Sequence, residues 1–418
     1  MRICVLGAGV VGTTTAYYLA RAGHDVVLVD RNGAPGQETS FANGGQLSYS
    51  YVAPLAAPGI GSHILDWIFG RDSALKLTLR PDPWQWRWLA NFMLASRSPV
   101  YERSIVELSA LAYLSRSLVH DLVAREGLDF AFARSGKLVV HRDAAALESA
   151  GRLVEMQARL GAEQRVLDRD ACVALEPSLA HIAPQLAGGV YTPSEEAGDC
   201  ARFCAELDRV LAGMTAVERL YHHRTGSFAM EGGRVKAIVT NRGPVEAELF
   251  VVAAGLESRA LLKPLGVHLP LYPLKGYSLT VPVAADDAAP RVSVTDARRK
   301  IVYARLGAFE RIAAMVDLGA RDATVVPARL ADLKDKVRQS FPRLGTLDDA
   351  AVWSGLRPAT AQGKPVIGPT PVANLFVNVG HGALGFTLSC GSARLVTDLI
   401  GGREPAISAA PFALGTVY

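Results

Sequence analysis

Near its start the chain reads Arg2-Ile3-Cys4-Val5-Leu6-Gly7-Ala8-Gly9-Val10-Val11-Gly12, an apolar run that leads directly into a Gly-x-Gly-x-x-Gly pattern. The run Arg2–Leu6 predicts a buried strand, because apolar and β-branched residues follow one another without interruption. Thr13–Ala22 predicts a helix that ends at Gly23, and Asp25–Val29 predicts a second buried strand. Strand, glycines, helix and strand together form a βαβ unit, which predicts a doubly wound, Rossmann-like α/β domain.

The three glycines of this unit each meet a separate physical requirement. The first allows a tight turn, the second lets a pyrophosphate approach the backbone, and the third lets the helix pack closely on the strand. The phosphates would then lie at the helix N-terminus, where free N–H groups and the helix dipole favour an anion. Asp30 follows the second strand and is placed to accept hydrogen bonds from two ribose hydroxyls, which disfavours NADP. The pattern predicts a bound adenine dinucleotide.

Length and composition limit the other possibilities. With 418 residues, 50% of them hydrophobic and 20% charged, the chain should fold into two domains or one large enzyme fold. A net charge of +4 is too small to predict a nucleic-acid partner. The five cysteines include no CxxC pair, so we expect neither a disulfide framework nor a metal site. We find no signal peptide and no apolar run of membrane-spanning length, and therefore expect a cytoplasmic protein.

The glycine pattern alone does not distinguish FAD from NAD. An NAD-dependent dehydrogenase usually continues in regular βα alternation, whereas this βαβ unit runs into an irregular Ser/Asn/Gly segment from Thr39 to Gly61. A further buried strand, ending at Ala254-Gly255, comes some 200 residues later, and residues 272–320 alternate as in antiparallel strands. This order favours a flavoprotein whose cofactor is held by segments from both ends of the chain.

Five motifs, in this order and spread over nearly the whole chain, resemble those of the bacterial D-amino acid dehydrogenases, which belong with the glycine and sarcosine oxidases. They are Gly7-Ala8-Gly9-Val10-Val11-Gly12, Glu38-Thr39-Ser40-Phe41-Ala42-Asn43-Gly44-Gly45-Gln46, Tyr272-Pro273-Leu274-Lys275-Gly276-Tyr277-Ser278-Leu279, Trp353-Ser354-Gly355-Leu356-Arg357-Pro358 and Gly380-His381-Gly382-Ala383-Leu384-Gly385-Phe386-Thr387. Two segments depart from the family pattern, Ser48-Tyr49-Ser50-Tyr51 for Ser-Pro-Gly-Tyr and Ala313-Ala314-Met315-Val316-Asp317 for Gly-Gly-Met-Ala-Glu. Substrate preference should therefore not be copied from other members.

The resemblance implies FAD, bound without a covalent link. Its ADP half would contact Gly7, Gly9, Gly12 and Asp30, and its ribityl chain and isoalloxazine Ser40, Asn43, Gly44, Gly45 and Gln46. Its pyrimidine side would contact Gly380, His381, Gly382, Ala383, Leu384, Gly385 and Thr387. The other expected cofactor contacts are Val10, Val11, Arg31, Ala254, Gly255 and Arg357. Backbone N–H groups at that edge would stabilise an anionic reduced flavin.

Arg357 is the expected substrate-binding residue, since the resemblance pairs this arginine with the substrate carboxylate and a guanidinium fork suits a planar carboxylate. Tyr49, Tyr51, Tyr277 and Tyr303 are candidates for a supporting hydroxyl, each equally open to a packing role. We expect His381 to contact the flavin more than to act as a base, because the substrate amine can lose its proton to solvent.

The expected fold is an FAD-binding domain made of residues 1–85, 188–265 and 340–418, with an antiparallel-sheet α+β substrate domain made of residues 86–187 and 266–339. The expected reaction is oxidative deamination of D-amino acids, with a quinone or another respiratory carrier as electron acceptor. Two alternatives stay open: an O2-using oxidase or dehydrogenase of glycine, sarcosine or a cyclic imino acid, and a flavin-containing subunit that is silent on its own. Trp84, Trp86 and Trp88 suit either burial or peripheral contact with the inner face of a membrane.

Overall fold

The structure is a computed structural model that describes residues 1–70, 74–284 and 287–418. The helices in these ranges are α1 (Val10–Arg21), α2 (Ile64–Ile68), α3 (Pro83–Ala95), α4 (Ser98–Glu126), α5 (Ala144–Ala158), α6 (Arg169–Leu175), α7 (Cys200–Ala212), α8 (Glu257–Leu262), α9 (Pro327–Ser340) and α10 (Gly385–Ile400). The strands are β1 (Arg2–Leu6), β2 (Asp25–Val29), β3 (Gln46–Leu47), β4 (Leu75–Leu77), β5 (Lys137–His141), β6 (Arg165–Asp168), β7 (Gly188–Thr192), β8 (Glu196–Ala197), β9 (Val217–Leu220), β10 (Thr225–Glu231), β11 (Arg234–Thr240), β12 (Gly243–Glu246), β13 (Leu249–Val252), β14 (Tyr272–Pro282), β15 (Ser293–Asp296), β16 (Ile301–Leu306), β17 (Phe309–Leu318), β18 (Ala351–Ala359), β19 (Val366–Pro369) and β20 (Leu375–Val379).

Six strands form a sheet in the order β19-β20-β13-β1-β2-β9, which we call the parallel sheet. Adjacent strands in this sheet are parallel, except that β19 is antiparallel to β20. Val5 lies at its centre, opposite Leu28 on β2 and Val251 on β13. Strands buried on both faces consist of nearly continuous apolar residues. This explains why the strands around Val5 could be recognised from the sequence.

The two faces of the parallel sheet are covered differently. Ile3 and Val5 pack in one apolar core with residues of α1, α4, α7 and α10. Cys4 and Leu6 point the other way and pack with Val235 and the rest of the antiparallel sheet β10-β11-β12. Helix α1 starts at Val10, three residues before the predicted start, because the glycine turn continues into the helix without a break.

The second large sheet, here called the mixed sheet, has the order β18-β14-β17-β16-β15-β5-β7-β6, with β4 added beside β17. The sequence predicted antiparallel pairing, which holds for most of it, but the pairs β15–β5 and β17–β4 are parallel. Parallel neighbours need long crossover connections, and their pairing leaves no local turn signal. Strands β7 and β18 bond into this sheet although they lie within the expected FAD-domain ranges, and the division into domains stays a prediction.

Residues 39–46, which we call the connecting loop, join the two sheets. The loop is irregular, as predicted, until β3 pairs with β8. Several hydrogen bonds attach it to the mixed sheet, among them Thr39 Oγ1 to Leu356 O (3.0 Å), Ser278 Oγ to Ala42 O (2.7 Å) and Gln46 Nε2 to Tyr303 O (3.0 Å). The connecting loop therefore has a fixed position between the parallel sheet and the mixed sheet.

Candidate active site

The glycine turn after β1 fits only residues without a side chain at two positions. Gly7 has φ +105°, and a Cβ there would lie 2.6 Å from Ala253 O. A Cβ at Gly12 would overlap the carbonyl oxygen of Gly7. Gly9 differs, because the nearest neighbour of its Cβ would be Ser40 Oγ at 3.5 Å. The turn is thus tightly packed on the side of the strand and has more room at Gly9, where a ligand could approach.

Gly9 is also the N-cap of α1, and no side chain caps it. The N–H of Val10 donates to Ser40 Oγ (3.0 Å). The N–H groups of Val11 and Gly12 lie in the first turn and have no intrahelical acceptor. Free N–H groups and the positive end of the helix dipole favour a phosphate at this point.

Asp30 faces the same turn from the end of β2. Its Oδ2 accepts from the N–H of Ala8 (2.6 Å) and its Oδ1 from the N–H of Asn32 (2.8 Å). A carboxylate can accept about four hydrogen bonds, so capacity remains for ribose hydroxyls. Arg31, the next residue, is held in ion pairs with Glu38 and Glu257. Its guanidinium is therefore shared between two carboxylates.

The connecting loop has its own internal order. Asn43 Oδ1 accepts from the N–H of Gly45 (3.0 Å), Gly45 has φ +67°, and Gly198 N–H donates to its carbonyl (2.8 Å). Gly44 packs against the mixed sheet, where a Cβ would lie 3.2 Å from Val302 Cγ2. The side chain of Gln46 is committed to the sheet, as described above. Backbone atoms of the connecting loop are therefore what it can offer to a ligand.

Arg311 on β17 was missed by the sequence reasoning. It is 5% exposed, and its guanidinium donates to Asn43 O (2.8 Å) and to Thr280 Oγ1 (2.9 Å). It also lies 3.6 Å from the carboxylate of Asp199, the N-cap of α7. A charged residue within a buried, mostly apolar strand was the available signal, since such a residue requires a partner.

Residues 380–385, here called the histidine loop, lie between β20 and α10. Gly380 and Gly382 have φ +87° and +55°. His381 is 3% exposed, pairs with Ala359 at the end of β18, and its Nε2 has no partner within the described part of the chain. Burial lowers the pKa of His381 to about 3, so the imidazole is neutral at physiological pH. A ring with this pKa is a weak base, which agrees with a contact role.

The residues that follow the histidine loop and those that follow the connecting loop are joined by a hydrogen bond. Ser48 N–H donates to Thr387 Oγ1 in the first turn of α10 (3.1 Å). On the opposite side, Ala254 and Gly255 follow β13, and a Cβ at Gly7 would lie 3.0 Å from the Cα of Ala254. Segments from both ends of the chain thus lie close together, and their contact with a cofactor stays a prediction.

Arg357 lies on β18 opposite Leu274, with its guanidinium directly over Gly276. Its Nη1 donates to the carbonyl of Met315 (3.1 Å). A Cβ at Gly276 would overlap the guanidinium, so only glycine leaves it room. Burial lowers the pKa of Arg357 to about 10, against the opposing effect of Asp317, and the side chain stays charged at neutral pH. Arg357 is partly buried, and its guanidinium has more N–H donors than the one bonded to Met315, which suits a carboxylate.

Within the described ranges, no hydrogen bond joins Arg357 to any of the four candidate tyrosines. Tyr277 donates to Asp317 (3.0 Å), because strand alternation turns it to the face opposite Gly276. Tyr49 donates to Glu196 (3.0 Å), and Tyr303 packs edge-to-face on Phe341 in the core. The ring of Tyr51 lies 4.0 Å from Nζ of Lys137, a buried lysine that the sequence reasoning also missed. Burial lowers the pKa of Lys137 to about 8.

The fold and the site define a dinucleotide-binding redox protein. The close glycine turn, the open helix N-terminus, the acceptor at Asp30 and the orphaned imidazole nitrogen of His381 all fit FAD.

Comparison with known proteins identifies the family. The model of the FAD dependent oxidoreductase family matches residues 2–399. The chain is 49% identical to D-amino acid dehydrogenase 2 of Ralstonia nicotianae (99% of this chain, 100% of the relative) and 46% identical to D-amino acid dehydrogenase 2 of Pseudomonas aeruginosa (97% and 96%). Glycine oxidase of Geobacillus kaustophilus has the same fold, with a TM-score of 0.78 at 22% identity (99% and 98%). The chain therefore belongs to the FAD dependent oxidoreductase family, in the branch of the D-amino acid dehydrogenases. Its cofactor is FAD, and it is an oxidoreductase.

Proposed function

We propose that the enzyme oxidatively deaminates D-amino acids to 2-oxo acids and ammonia, and that Arg357 binds the substrate carboxylate. The observation that carries this proposal is the partly buried guanidinium of Arg357, held over Gly276. Gly276 lies on the same face of β14 as Ser278, whose hydroxyl bonds the connecting loop. The cation therefore faces the cofactor-binding side of the mixed sheet. The names of the relatives supply the substrate class.

The residues of the chain have limited but specific tasks in this reaction. Arg357 holds the carboxylate in a two-point pair, and the carbonyl of Met315 fixes the guanidinium, so the Cα–H of the substrate has one orientation. When bound, FAD supplies the acceptor for the two electrons and the hydrogen that leave Cα. His381, neutral because of its burial, lines the site without taking a proton. The substrate amine loses its proton to water, and the imino acid released is hydrolysed.

The test is anaerobic mixing of the holoenzyme with D- and L-amino acids, glycine, sarcosine and prolines, following the flavin band at ~450 nm. D-amino acids should bleach the flavin. Arg357→Ala should lower the rate at limiting substrate by about 100-fold, because charge-assisted hydrogen bonds contribute about 1.5–3 kcal/mol each. Arg305→Ala, a partly exposed arginine on β16 of the same sheet, is the matched control.

Each other outcome contradicts part of the proposal. Bleaching only by glycine, sarcosine or an imino acid would move the enzyme to the alternative substrate class. Hydrogen peroxide formed in air at the rate of turnover would show that O2, rather than a quinone or carrier, accepts the electrons. No bleaching by any substrate would leave the silent-subunit alternative.

We also propose that the enzyme rests on a membrane surface through an apolar face formed by Leu65, Phe69, Trp86, Met93 and Leu94. These side chains are exposed, with Phe69 at 68% and Trp86 at 51%. Trp84 and Trp88 instead turn inward on the same helix, so these two residues are buried or half-buried and only Trp86 remains for contact with a membrane. The exposed Arg87 and Arg97 near this face suit anionic lipid headgroups. Among the described helices, none combines the length and the apolar character needed to cross a bilayer.

Co-sedimentation of the holoenzyme with vesicles tests this surface. Binding should require anionic lipid and decrease about tenfold in Phe69→Ser/Trp86→Ser, since each side chain removes apolar area from the interface. Phe309→Ser is the control, because Phe309 is similarly exposed (46%) but lies on β17. Equal loss of binding in the control, or no loss in the double variant, would contradict the proposal.

A further inference from the structure

Lys137 on β5 is a further buried cation on the face of the mixed sheet that the connecting loop contacts. Its side chain is 3% exposed. Lys137 pairs with Ser293 on β15, and two residues further along β15, Thr295 pairs with Val302 on β16. Because side chains alternate along a strand and paired residues share a face, Lys137 lies on the same face as Val302, against which Gly44 packs. A lysine is rarely buried to this extent unless it is paired.

The partners of Lys137 lie in segment 48–51, which directly follows β3. Nζ of Lys137 donates to Ser48 Oγ (2.9 Å) and lies 4.0 Å from the centre of the Tyr51 ring. Ser48 also donates its N–H to Thr387, at the start of α10. Lys137 therefore contacts the first and the last residue of this segment.

Glu195, which directly precedes β8, holds the middle of segment 48–51. The side chain of Glu195 is buried, and its Oε1 accepts from the N–H of Ser50 (2.7 Å), while the N–H of Tyr49 also stabilises the carboxylate. Burial raises the pKa of Glu195, and Lys137 opposes this shift. Burial lowers the pKa of Lys137 to about 8, and Glu195 opposes that shift in turn. The two opposite charges thus stabilise each other beneath the segment.

These contacts occur where the chain departs from the family pattern Ser-Pro-Gly-Tyr. A proline at position 49 would fix its own backbone and would have no N–H to donate. Tyr49 has an N–H, which Glu195 can accept, and its backbone is not fixed by a ring. The segment therefore needs a restraint from elsewhere in the fold, and the contacts with Lys137 and Glu195 supply it.

Tyr51 lies at an internal surface. It keeps 37% of its surface accessible, yet burial raises the pKa of its hydroxyl above the usual value of 10. Arg357 shows the same combination, since it is partly exposed and burial lowers its pKa. Accessible surface in a place where charge is poorly solvated is typical of a cavity wall. Tyr51 is therefore placed to touch a ligand.

We propose that Lys137 and Glu195 are positioning residues, which hold Tyr51 in place at the wall of the amino-acid site. Lys137 acts through the ring of Tyr51, and Glu195 acts through the backbone of segment 48–51. When Tyr51 is loose, the site is wider and binds the amino acid less tightly, whereas Arg357 still orients the molecule that does bind. This inference rests on the proposed function, because it needs the amino acid to bind beside Tyr51.

The test uses Lys137→Met in the holoenzyme, with anaerobic mixing at increasing concentrations of the amino acid that bleaches the flavin. The half-saturating concentration should rise about tenfold, and the limiting rate of flavin reduction should stay within about twofold. Tyr51→Leu should raise the half-saturating concentration similarly. Because Lys137 acts through Tyr51, adding Lys137→Met to Tyr51→Leu should have no further effect.

Two further variants separate positioning from stability. Lys137→Met/Glu195→Gln removes both charges and keeps an oxygen that accepts from Ser50. Its resistance to urea should return towards that of the parent enzyme, while the half-saturating concentration should stay raised. Arg142→Met is the matched control, because Arg142 directly follows β5 and its buried side chain pairs with the buried Asp296 (2.7 Å). It should lower the stability and leave the half-saturating concentration unchanged.

Hydrogen exchange of the holoenzyme, followed by mass spectrometry of peptides that cover residues 47–52, tests the segment without a substrate. Lys137→Met should exchange about tenfold faster there, and Arg142→Met should exchange at the parent rate. An unchanged half-saturating concentration in Lys137→Met would overturn the proposal, as would its recovery in the variant without charges or an additive effect with Tyr51→Leu. If no amino acid bleaches the flavin, the proposed function fails, and unchanged hydrogen exchange in Lys137→Met would then overturn the positioning role while faster exchange would support it.

Discussion

Met315 has a left-handed backbone (φ +66°) within a β-strand, beside the bulge at which β14 and β17 change register. Left-handed backbone in a residue other than glycine costs about 1–3 kcal/mol and is retained where the surroundings enforce it. The carbonyl oxygen of Met315 accepts a hydrogen bond from the guanidinium of Arg357. The strained backbone at Met315 therefore coincides with the carbonyl that positions Arg357, the proposed substrate-binding residue.

Met315→Val should raise the KM for the amino acid about tenfold, because a β-branched residue resists this backbone conformation and would move the carbonyl. The maximal rate of flavin reduction should change less. Ile312→Val on the same strand is the control, since Ile312 is buried and should cost about 1 kcal/mol of stability. An equal rise in KM in both variants, measured by steady-state kinetics, would mean that core packing and not the backbone is responsible.

Glu310 is fully buried, and within the described ranges neither carboxylate oxygen has a hydrogen-bond partner. Burial raises the pKa of Glu310 well above its usual value of 4.5. The folded protein therefore keeps a proton that the unfolded chain releases. The resulting stability is complete below pH 4.5 and is lost as the pH rises towards the folded pKa.

Glu310→Gln should consequently be more stable than the parent enzyme at pH 8, by about 1–3 kcal/mol, and should differ less at pH 5. Urea unfolding of the holoenzyme at the two pH values measures the difference. Glu102→Gln, an exposed position on α4, should show no such pH dependence. The same stability difference at both pH values would show that Glu310 does not titrate in this range.

Residues whose role depends on neighbours in the sequence could be predicted. Residues whose role depends on distant parts of the chain could not. The need for glycine at 7 and 12 follows from the adjacent strand and helix, and it was read from spacing alone. The positions of Arg311 and Met315 depend on the register between β14 and β17, which a bulge shifts. For the same reason Tyr277 could not be assigned to a face before the register was known.

Among the elements, β17 contributes a charged link between the mixed sheet and the connecting loop. Arg311→Gln should weaken FAD binding about tenfold, because the connecting loop loses a charge-assisted hydrogen bond to Asn43 O. Equilibrium dialysis of the apoenzyme against FAD measures this affinity. Arg305→Gln on β16 is the control, since its side chain bonds only to Gly307 O among the described contacts. Equal FAD affinity in Arg311→Gln and the parent enzyme would show that the loop keeps its shape without Arg311.

Elements were predictable where one face or both faces are continuously apolar. The helix predicted over Thr13–Ala22 is α1 (Val10–Arg21), and the strand predicted over Asp25–Val29 is β2, with the same bounds. The tryptophan segment is helix α3, whose inward side is marked by Trp88 and Phe92, four residues apart. Parallel pairs such as β15–β5 were missed because about 150 residues separate the partners and no turn marks them.

At the scale of the whole molecule, the two large sheets have separate apolar cores. One core contains residues of the mixed sheet with α6 and α9, and another contains residues of the parallel sheet with β11. The connecting loop and the histidine loop lie where the sheets approach each other. In the proposed binding mode FAD contacts both loops, and it would then hold these cores together as one cooperative unit.

Bound FAD raises the free energy of unfolding by mass action, by about 4 kcal/mol at a thousandfold excess of ligand over Kd. Removal of FAD should therefore lower the stability by this amount and should also change how the protein unfolds. We expect the apoenzyme to unfold in two calorimetric transitions and the holoenzyme in one, because the separate cores lose their common ligand. Adding FAD back should restore the single transition, which excludes damage during cofactor removal. A single transition in the apoenzyme, merely shifted to lower temperature, would show that direct contacts between the sheets suffice to couple them.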